Sequence, residues 1–223
     1  MSEVLKEMKE RRSIRKYKAD MVPQEILDQI IEAGLYAASG KGTQNTIIIQ
    51  VTKKELRDEI AEMNRKIGGW EEGFDPFYGA PAMLIVLARK DWPTGIYDGS
   101  LVMGNLMLAA HDLGIGSCWI HRAKEEFETE WGKELLKSLG ISGEYVGIGH
   151  CALGYADGET PKAAKRKVNR VFSKGQNKYQ IHQQKKSSSV LCCQIRKPPY
   201  ISKSYRTAGC RKNEPNVAGK SAS

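Results

Sequence analysis

Three arginines lie within five residues near the start of the chain, in the segment RRSIRKY at positions 11–17. Guanidinium groups this close together repel one another unless an anion lies between them. The planar, permanently charged guanidinium matches a phosphate, to which it can donate two hydrogen bonds, and the hydroxyl of Ser13 adds another donor. The segment therefore indicates an anion-binding site, against the alternative of a solvated basic surface.

The charge of the chain is unevenly distributed. The 223 residues carry a net charge of +9, which would suggest a nucleic acid or an anionic membrane as partner. However, ten of the 35 Lys and Arg residues and only one of the 26 acidic residues follow position 174, so residues 1–174 hold 25 of each. We expect a neutral folded domain at 1–174 and a separate basic tail at 175–223. The neutral charge of the folded domain argues against a nucleic-acid partner.

The tail has a composition unlike that of the preceding residues. It is rich in amides, serines and basic residues, and it contains Pro198-Pro199 and no periodic apolar pattern. Such a segment cannot bury enough apolar surface to offset the entropy of ordering it, which predicts disorder. A shifted reading frame or a fusion remnant is the favoured explanation, and a basic arm for nucleic acid is the alternative.

Five cysteines without regular spacing argue against a disulfide framework and for a reducing compartment. No apolar run approaches the ~20 residues of a membrane span. The first residues lack the basic and apolar regions of a signal peptide. We therefore expect a cytoplasmic protein with no membrane partner.

Helical and strand patterns alternate along residues 1–174. Apolar residues at helical spacing predict helices at 2–11, 23–38, 53–64 and 98–113, and a helix or helix pair at 124–139. Apolar or β-branched runs predict strands at 46–52, 81–88, 114–121 and 145–154. The helix at 98–113 is apolar nearly all round and is predicted to be buried. This alternation favours a layered α/β or α+β sandwich.

Four segments then occur in order: RRSIRKY at 11–17, ASGKGTQN at 38–45, GSLVMGNLMLAAHDLGIGSCWIH at 99–121 and GHCALGYADGETPKAAKRK at 149–167. Their order and separation resemble the nitroreductase family of FMN-dependent NAD(P)H oxidoreductases, in its shorter branch, over about residues 4–172. The resemblance implies an α+β fold, an α/β/α sandwich with a mixed sheet flanked by helices. It also implies an intertwined homodimer with one FMN per subunit at the interface.

The resemblance also implies how each segment meets the cofactor. The first grips the FMN phosphate and places one basic side chain at the pyrimidine edge, where a cation stabilises the reduced flavin. The second reaches the flavin of the partner subunit, and the third runs its backbone along the flavin, with an N–H near N5. A basic residue of the fourth closes on the phosphate. The candidate cofactor-binding residues are Arg11, Arg12, Ser13, Arg15, Ala38, Ser39, Gly40, Gln44, Cys118, Trp119, Ile120, His121 and Arg166.

The second segment departs from the family pattern. Relatives usually have Pro and then Gln-Pro-Trp, whereas this chain has Ala38 and then Gln44-Asn45-Thr46. The departure leaves the fold assignment intact but leaves the shape of that wall of the site open.

The family reaction passes hydride from NADH or NADPH through FMN to a small-molecule acceptor, such as a nitroaromatic or a quinone, in a ping-pong cycle. It requires no protein acid or base, so no catalytic side chain and no metal is predicted. The alternative is a non-enzymatic flavin-binding or nucleic-acid-binding protein that uses the basic tail.

Other sites are less well supported. Residues 40–43 lack the spacing and the Ser/Thr of a phosphate loop, and residues 114–116 lack the third glycine of a dinucleotide fingerprint. His150 and Cys151 are adjacent on a strand and point to opposite faces, which argues against a shared zinc. Cys118 is predicted to be an inert buried thiol rather than a redox one. The aromatic residues of the glycine-rich segment 68–79 line a substrate channel or pack in the core: Trp70, Phe74, Phe77 and Tyr78.

Overall fold

The computed structural model describes residues 2–172 and 174. The helices are α1 (Glu3–Glu10), α2 (Gln24–Leu35), α3 (Lys54–Gly68), α4 (Gly95–Asp112), α5 (Ala123–Phe127) and α6 (Glu130–Ser138). The strands are β1 (Thr46–Val51), β2 (Ala82–Arg89), β3 (Gly116–Ile120) and β4 (Tyr145–Gly154). Each predicted helix and strand is present, and the α+β class is confirmed.

The four strands form one sheet in the order β1-β2-β4-β3, with all neighbours antiparallel. These four strands therefore do not by themselves form the mixed sheet that the resemblance implied. A parallel bridge between Ser13 and Ser117 adds the N-terminal segment at the open edge of β3. Strand β2 is buried from Ala82 to Ala88, because helices cover both faces of the sheet. A strand that is buried on both faces needs apolar side chains at every position, which explains the continuous apolar sequence of β2.

The side chains of β2 alternate between two apolar cores, as the two-residue period of a strand requires. One core contains Met83, Ile85 and Leu87 together with residues of α3, α5 and α6. The other contains Leu84 and Val86 together with residues of α2 and α4. The predicted three-layer arrangement, with helices on both faces of one sheet, is therefore present.

The segment after α1 runs along the edge of β3 rather than into solvent. The Ile14 N–H donates to the Ser117 carbonyl at 3.0 Å, and Tyr17 forms a bridge with Ala156. The Tyr17 hydroxyl is buried and donates to the Ile14 carbonyl at 2.8 Å. This pairing fixes the path of the backbone that carries the arginine cluster.

Helix α4 differs from its prediction of complete burial. Its inner face packs on the sheet, but Ile96, Tyr97 and Leu101 are 61%, 70% and 50% exposed. A helix on the outer layer of a sandwich can bury only one face against the sheet. The prediction that α4 is buried all round was therefore wrong for the single chain. The outer face of α4 is apolar and exposed in it.

Contacts divide the chain into a unit from Met1 to Arg166 and a second from Lys167 to Ser223. The predicted domain boundary at residue 174 stays a prediction. The expectations for 175–223, namely disorder, a foreign reading frame or a basic arm, lie outside the described residues. In the part of the chain that the structure describes, no helix is both long and apolar enough to cross a bilayer.

Candidate functional site

The first group of candidate residues gathers at the open edge of β3. Ser13 lies beside Ser117, and its hydroxyl and the guanidinium groups of Arg11 and Arg15 are all close enough to lower the pKa of the Cys118 thiol. Arg15 is exposed, whereas Arg11 is partly buried. Four of the predicted residues are therefore brought together by one strand edge.

Two nitrogens of the arginine cluster are buried without a hydrogen-bond partner among residues 2–172 and 174: Nη1 of Arg11 and Nε of Arg12. The Arg12 guanidinium is held in place because its Nη1 donates to the Lys9 carbonyl at 2.7 Å and to the Arg11 carbonyl at 2.6 Å. A buried donor without an acceptor costs free energy, and one on a cation costs more. A bound anion that reaches either nitrogen would supply the missing acceptor.

The thiols of Cys118 and Cys151, next to this group, lie in surroundings that disfavour the thiolate. Burial raises the pKa of Cys118, against the lowering effects of Arg15, of the Ser13 hydrogen bond and of Arg11. Burial, with a smaller contribution from Cys118, raises the pKa of Cys151 to about 12. Because the thiolate is the nucleophile, the burial and raised pKa of both cysteines favour low reactivity, which agrees with the interpretation of Cys118 as a buried thiol rather than a redox one.

We expect native protein treated with iodoacetamide at pH 8 to leave Cys118 and Cys151 unlabelled, because both are buried with raised pKa values. Mass spectrometry of the two peptides measures the labelling, and the same protein unfolded in guanidinium chloride serves as the positive control. Rapid labelling of Cys118 in native protein would contradict this and would support a redox role.

The predicted backbone contribution of β3 has a clear geometric basis. Alternate residues of a strand direct both their N–H and C=O groups to the same edge. Since the Ser117 carbonyl points to the open edge, where it accepts from Ile14, the N–H of Trp119 points to that edge as well. Ile120 is buried, and His121 is exposed directly after the strand. The edge beyond the Ser13–Ser117 bridge therefore offers backbone donors beside the arginines.

The second group of candidate residues lies between α2 and α4. Ala38, Ser39 and Gln44 line a cavity of about 140 Å³ together with Asp98 and Val102 of α4, among other residues. Within this loop the Ser39 hydroxyl accepts from the Gln44 N–H at 3.0 Å, and a short 3₁₀ turn spans Gly40–Gly42. The two groups are thus assembled on different elements.

A buried carboxylate that the sequence did not single out holds this loop. Asp98 is 4% exposed and accepts hydrogen bonds from Gly40 N, Asn45 Nδ2 and Thr94 Oγ1 at 2.9–3.1 Å. A Cβ at Gly40 would lie 2.3 Å from Thr94 Oγ1, so only glycine fits there. The sequence signal for this carboxylate was a threonine four residues before an aspartate. The same spacing is common in the first turn of helices that hold no functional loop, so it did not single out Asp98.

Arg166 lies near the end of the first unit. It is exposed, and its Nη2 donates to the Ala164 carbonyl at 2.8 Å. Its predicted role at the phosphate stays a prediction.

The aromatic residues of the glycine-rich segment divide into two classes. Phe77 has no exposed surface and packs in the core. Trp70, Phe74 and Tyr78 form a row with ring centroids 5.4 and 6.2 Å apart, in which Trp70 and Phe74 are 38% and 40% exposed. Core packing therefore explains Phe77, and the substrate-channel alternative stays open for the row.

Known proteins resemble this chain in sequence and in structure. The nitroreductase family model matches residues 8–155. The chain is 31% identical over 129 residues to a relative from Methanothermobacter thermautotrophicus described as an NADH dehydrogenase/NAD(P)H nitroreductase, with 52% of this chain and 60% of the relative covered. An FMN reductase [NAD(P)H] from Bacillus subtilis is 31% identical over 139 residues, covering 52% of this chain and 53% of that protein. The chain therefore spans between half and two thirds of these relatives.

Among solved structures, an FMN-bound nitroreductase from Bacteroides fragilis has a TM-score of 0.71 at 29% identity, covering 77% of this chain and 98% of that one. The family match covers more than half of the chain and contains the β3 edge and the loop after α2. The chain belongs to the nitroreductase family.

Proposed function

We propose that this protein is an FMN-dependent NAD(P)H oxidoreductase. The observation that carries the proposal is that Arg11 Nη1 and Arg12 Nε are buried without a hydrogen-bond partner among the described residues. They lie beside the edge of β3 towards which the Trp119 N–H points. A flavin mononucleotide combines a dianionic phosphate with a planar ring that accepts hydrogen bonds, and this arrangement fits both. Family membership and the FMN reductase and FMN-bound relatives support the same assignment.

In this proposal the arginine cluster and Ser13 hold the phosphate, and one basic side chain faces the pyrimidine edge. Of the three arginines in the cluster, Arg15 is the exposed one and can extend to that edge. The backbone of residues 118–121 borders the ring. When bound, FMN supplies the redox chemistry that carries hydride equivalents from NADH or NADPH to an oxidised small molecule in alternating half-reactions. Nitroaromatics, quinones and related acceptors fit this chemistry, and we assign no catalytic side chain.

We propose further that the functional unit is a homodimer. The chain exposes an apolar surface on α4 and the end of α2, here called the α2–α4 face: Leu35, Tyr36, Ile96, Tyr97 and Leu101, each at least 50% exposed. Exposed apolar surface of this kind marks interaction sites. The loop that carries Ala38, Ser39, Gly40 and Gln44 lies beside it, so docking a second copy on this face would place the loop near the partner's cofactor.

The test is the absorption spectrum of the purified protein. We expect a yellow protein with the spectrum of bound FMN, bleached by NADH or NADPH without oxygen and restored by an added quinone or nitroaromatic. Colourless protein that takes up no FMN and is retained on heparin in a salt-dependent way would contradict the proposal and favour the basic-tail alternative.

A further inference from the structure

Three polar side chains without exposed surface meet inside the protein, outside the proposed FMN contacts. They come from different elements: Asn64 from α3, Glu126 from α5 and His150 from β4. The Asn64 amide donates to Glu126 Oε1 at 2.7 Å. His150 Nε2 lies 2.7 Å from Glu126 Oε2, a close polar contact that does not have hydrogen-bond geometry among the described residues. Apolar side chains would fill the same space at lower desolvation cost. Their joint placement therefore requires a reason beyond packing.

The reason lies at the far end of the cluster. Asn64 Nδ2 also donates to the main-chain carbonyl of His121 at 2.7 Å. That carbonyl belongs to the residue directly after β3, where the chain turns into α5. The three side chains therefore tie β4 to the β3–α5 turn, and we call them the Asn64–His150 clamp. Phe77 packs edge-to-face against the His150 ring at 5.2 Å and fixes that end.

The turn that the clamp holds has an unfavourable backbone conformation. Arg122 has φ of 87°, in the left-handed region that favours glycine. A non-glycine residue stays there only when its surroundings determine the backbone on both sides, and such residues concentrate at functional sites. On one side the His121 carbonyl is bound by Asn64. On the other, Ala123 rests directly on β4, where a Cβ at Gly147 would lie 2.1 Å from the Ala123 carbonyl carbon and oxygen.

Strand β4 also contacts the side chain of Trp119, a residue of β3 two positions before His121. A Cβ at Gly149 would lie 2.2 Å from Trp119 Nε1, so the indole occupies the space that any other side chain at 149 would take. The sequence GIGH at 147–150 thus contacts three positions between the end of β3 and the start of α5. These are the Trp119 side chain, the His121 carbonyl through the clamp, and Ala123. This explains why two glycines and a buried histidine occur together in an apolar strand.

We propose that Asn64, Glu126 and His150 are positioning residues, which hold the backbone of residues 118–122 in the one conformation that borders FMN. The inference rests on the proposed function, because that function gives this backbone its role. The clamp itself acts only through the main chain.

The test uses Asn64→Leu, which keeps the number and branching of the side-chain heavy atoms and removes both N–H donors. The control is Asn105→Leu, which removes an amide that donates to the Ala33 carbonyl at 3.0 Å between α4 and α2. Hydrogen exchange of residues 118–123 is measured on FMN-free protein, at temperatures equally far below the Tm of each variant. FMN affinity and the midpoint potential of bound FMN are then measured for both.

We expect Asn64→Leu to speed exchange of the 121–123 amides at least about tenfold, to weaken FMN binding by roughly tenfold, and to shift the midpoint potential, since lost positioning of this size is common. Asn105→Leu should leave all three at wild-type values. Equal effects in the two variants, or no effect in Asn64→Leu, would overturn the inference. If Asn64→Leu does not fold, Asn64→Ala, which adds no atoms, is measured instead. If wild-type protein takes up no FMN, the proposed function fails, whereas the exchange result still decides whether the clamp holds the turn.

Discussion

Arg11→Ala should bind FMN about ten- to a hundredfold more weakly than the wild type. The substitution removes a charge-assisted contact to the phosphate, and such a contact contributes ~1.5–3 kcal/mol. The structure adds a second expectation. Because Arg11 Nη1 is buried without a partner in the described part of the chain, its removal relieves a desolvation cost in the FMN-free protein. The Tm of FMN-free Arg11→Ala should therefore not fall. FMN titration and thermal unfolding measure the two effects.

The matched control is Arg89→Ala, which removes the same charge from an exposed pair with Asp91. Exposed pairs of this kind contribute little, so FMN affinity and Tm should both stay at wild-type values. Arg15→Ala should weaken FMN less than Arg11→Ala, because an exposed guanidinium interacts through solvent. Wild-type FMN affinity in Arg11→Ala would show that the cluster has another role. A lower Tm in the FMN-free variant would show that Arg11 stabilises the fold.

Element positions were predictable where a local pattern and the tertiary environment agree. Strand β4 begins and ends as predicted, at Tyr145 and Gly154. Its apolar run is buried on both faces of the sheet, so the local pattern and the tertiary environment favour the same structure. Helix α2 ends at Leu35, three residues before the predicted end at 38. The reason is tertiary, since Asp98 binds the Gly40 N–H and draws the following loop towards α4. The sequence of residues 36–40 contains no local pattern from which that contact could be predicted.

The candidate site was predictable in residue type but not in environment. The density of arginines at 11–15 indicated an anion, and the partial burial of Arg11 and Arg12 follows from the pairing of Ser13 with Ser117, more than a hundred positions away. The clamp was hidden for the same reason. His150 was considered as a metal ligand because of its neighbour Cys151, while its partners Glu126 and Asn64 come from helices whose exposed faces are charged. Long-range pairing of polar groups leaves no periodic signal in a single sequence.

Leu101→Glu should convert a dimer into a monomer. The wild type should sediment as a dimer with or without FMN, held by the α2–α4 face. By twofold symmetry each interface receives two new carboxylates, and burying them without partners should raise the dimer Kd by at least about a hundredfold. Since Leu101 is half exposed in the single chain, the fold itself should tolerate the change. Sedimentation velocity across a concentration series measures the dissociation.

The control for this variant is Leu139→Glu, because Leu139 is equally exposed, at 50%, and lies at the end of α6 rather than on the α2–α4 face. It should remain a dimer and retain FMN. The Leu101→Glu monomer should lose FMN, because the loop with Ser39 and Gln44 can then no longer reach the cofactor of a partner subunit. A Leu101→Glu protein that remains dimeric would place the interface elsewhere. A monomer that binds FMN with wild-type affinity and oxidises NAD(P)H would show that each subunit builds its site alone.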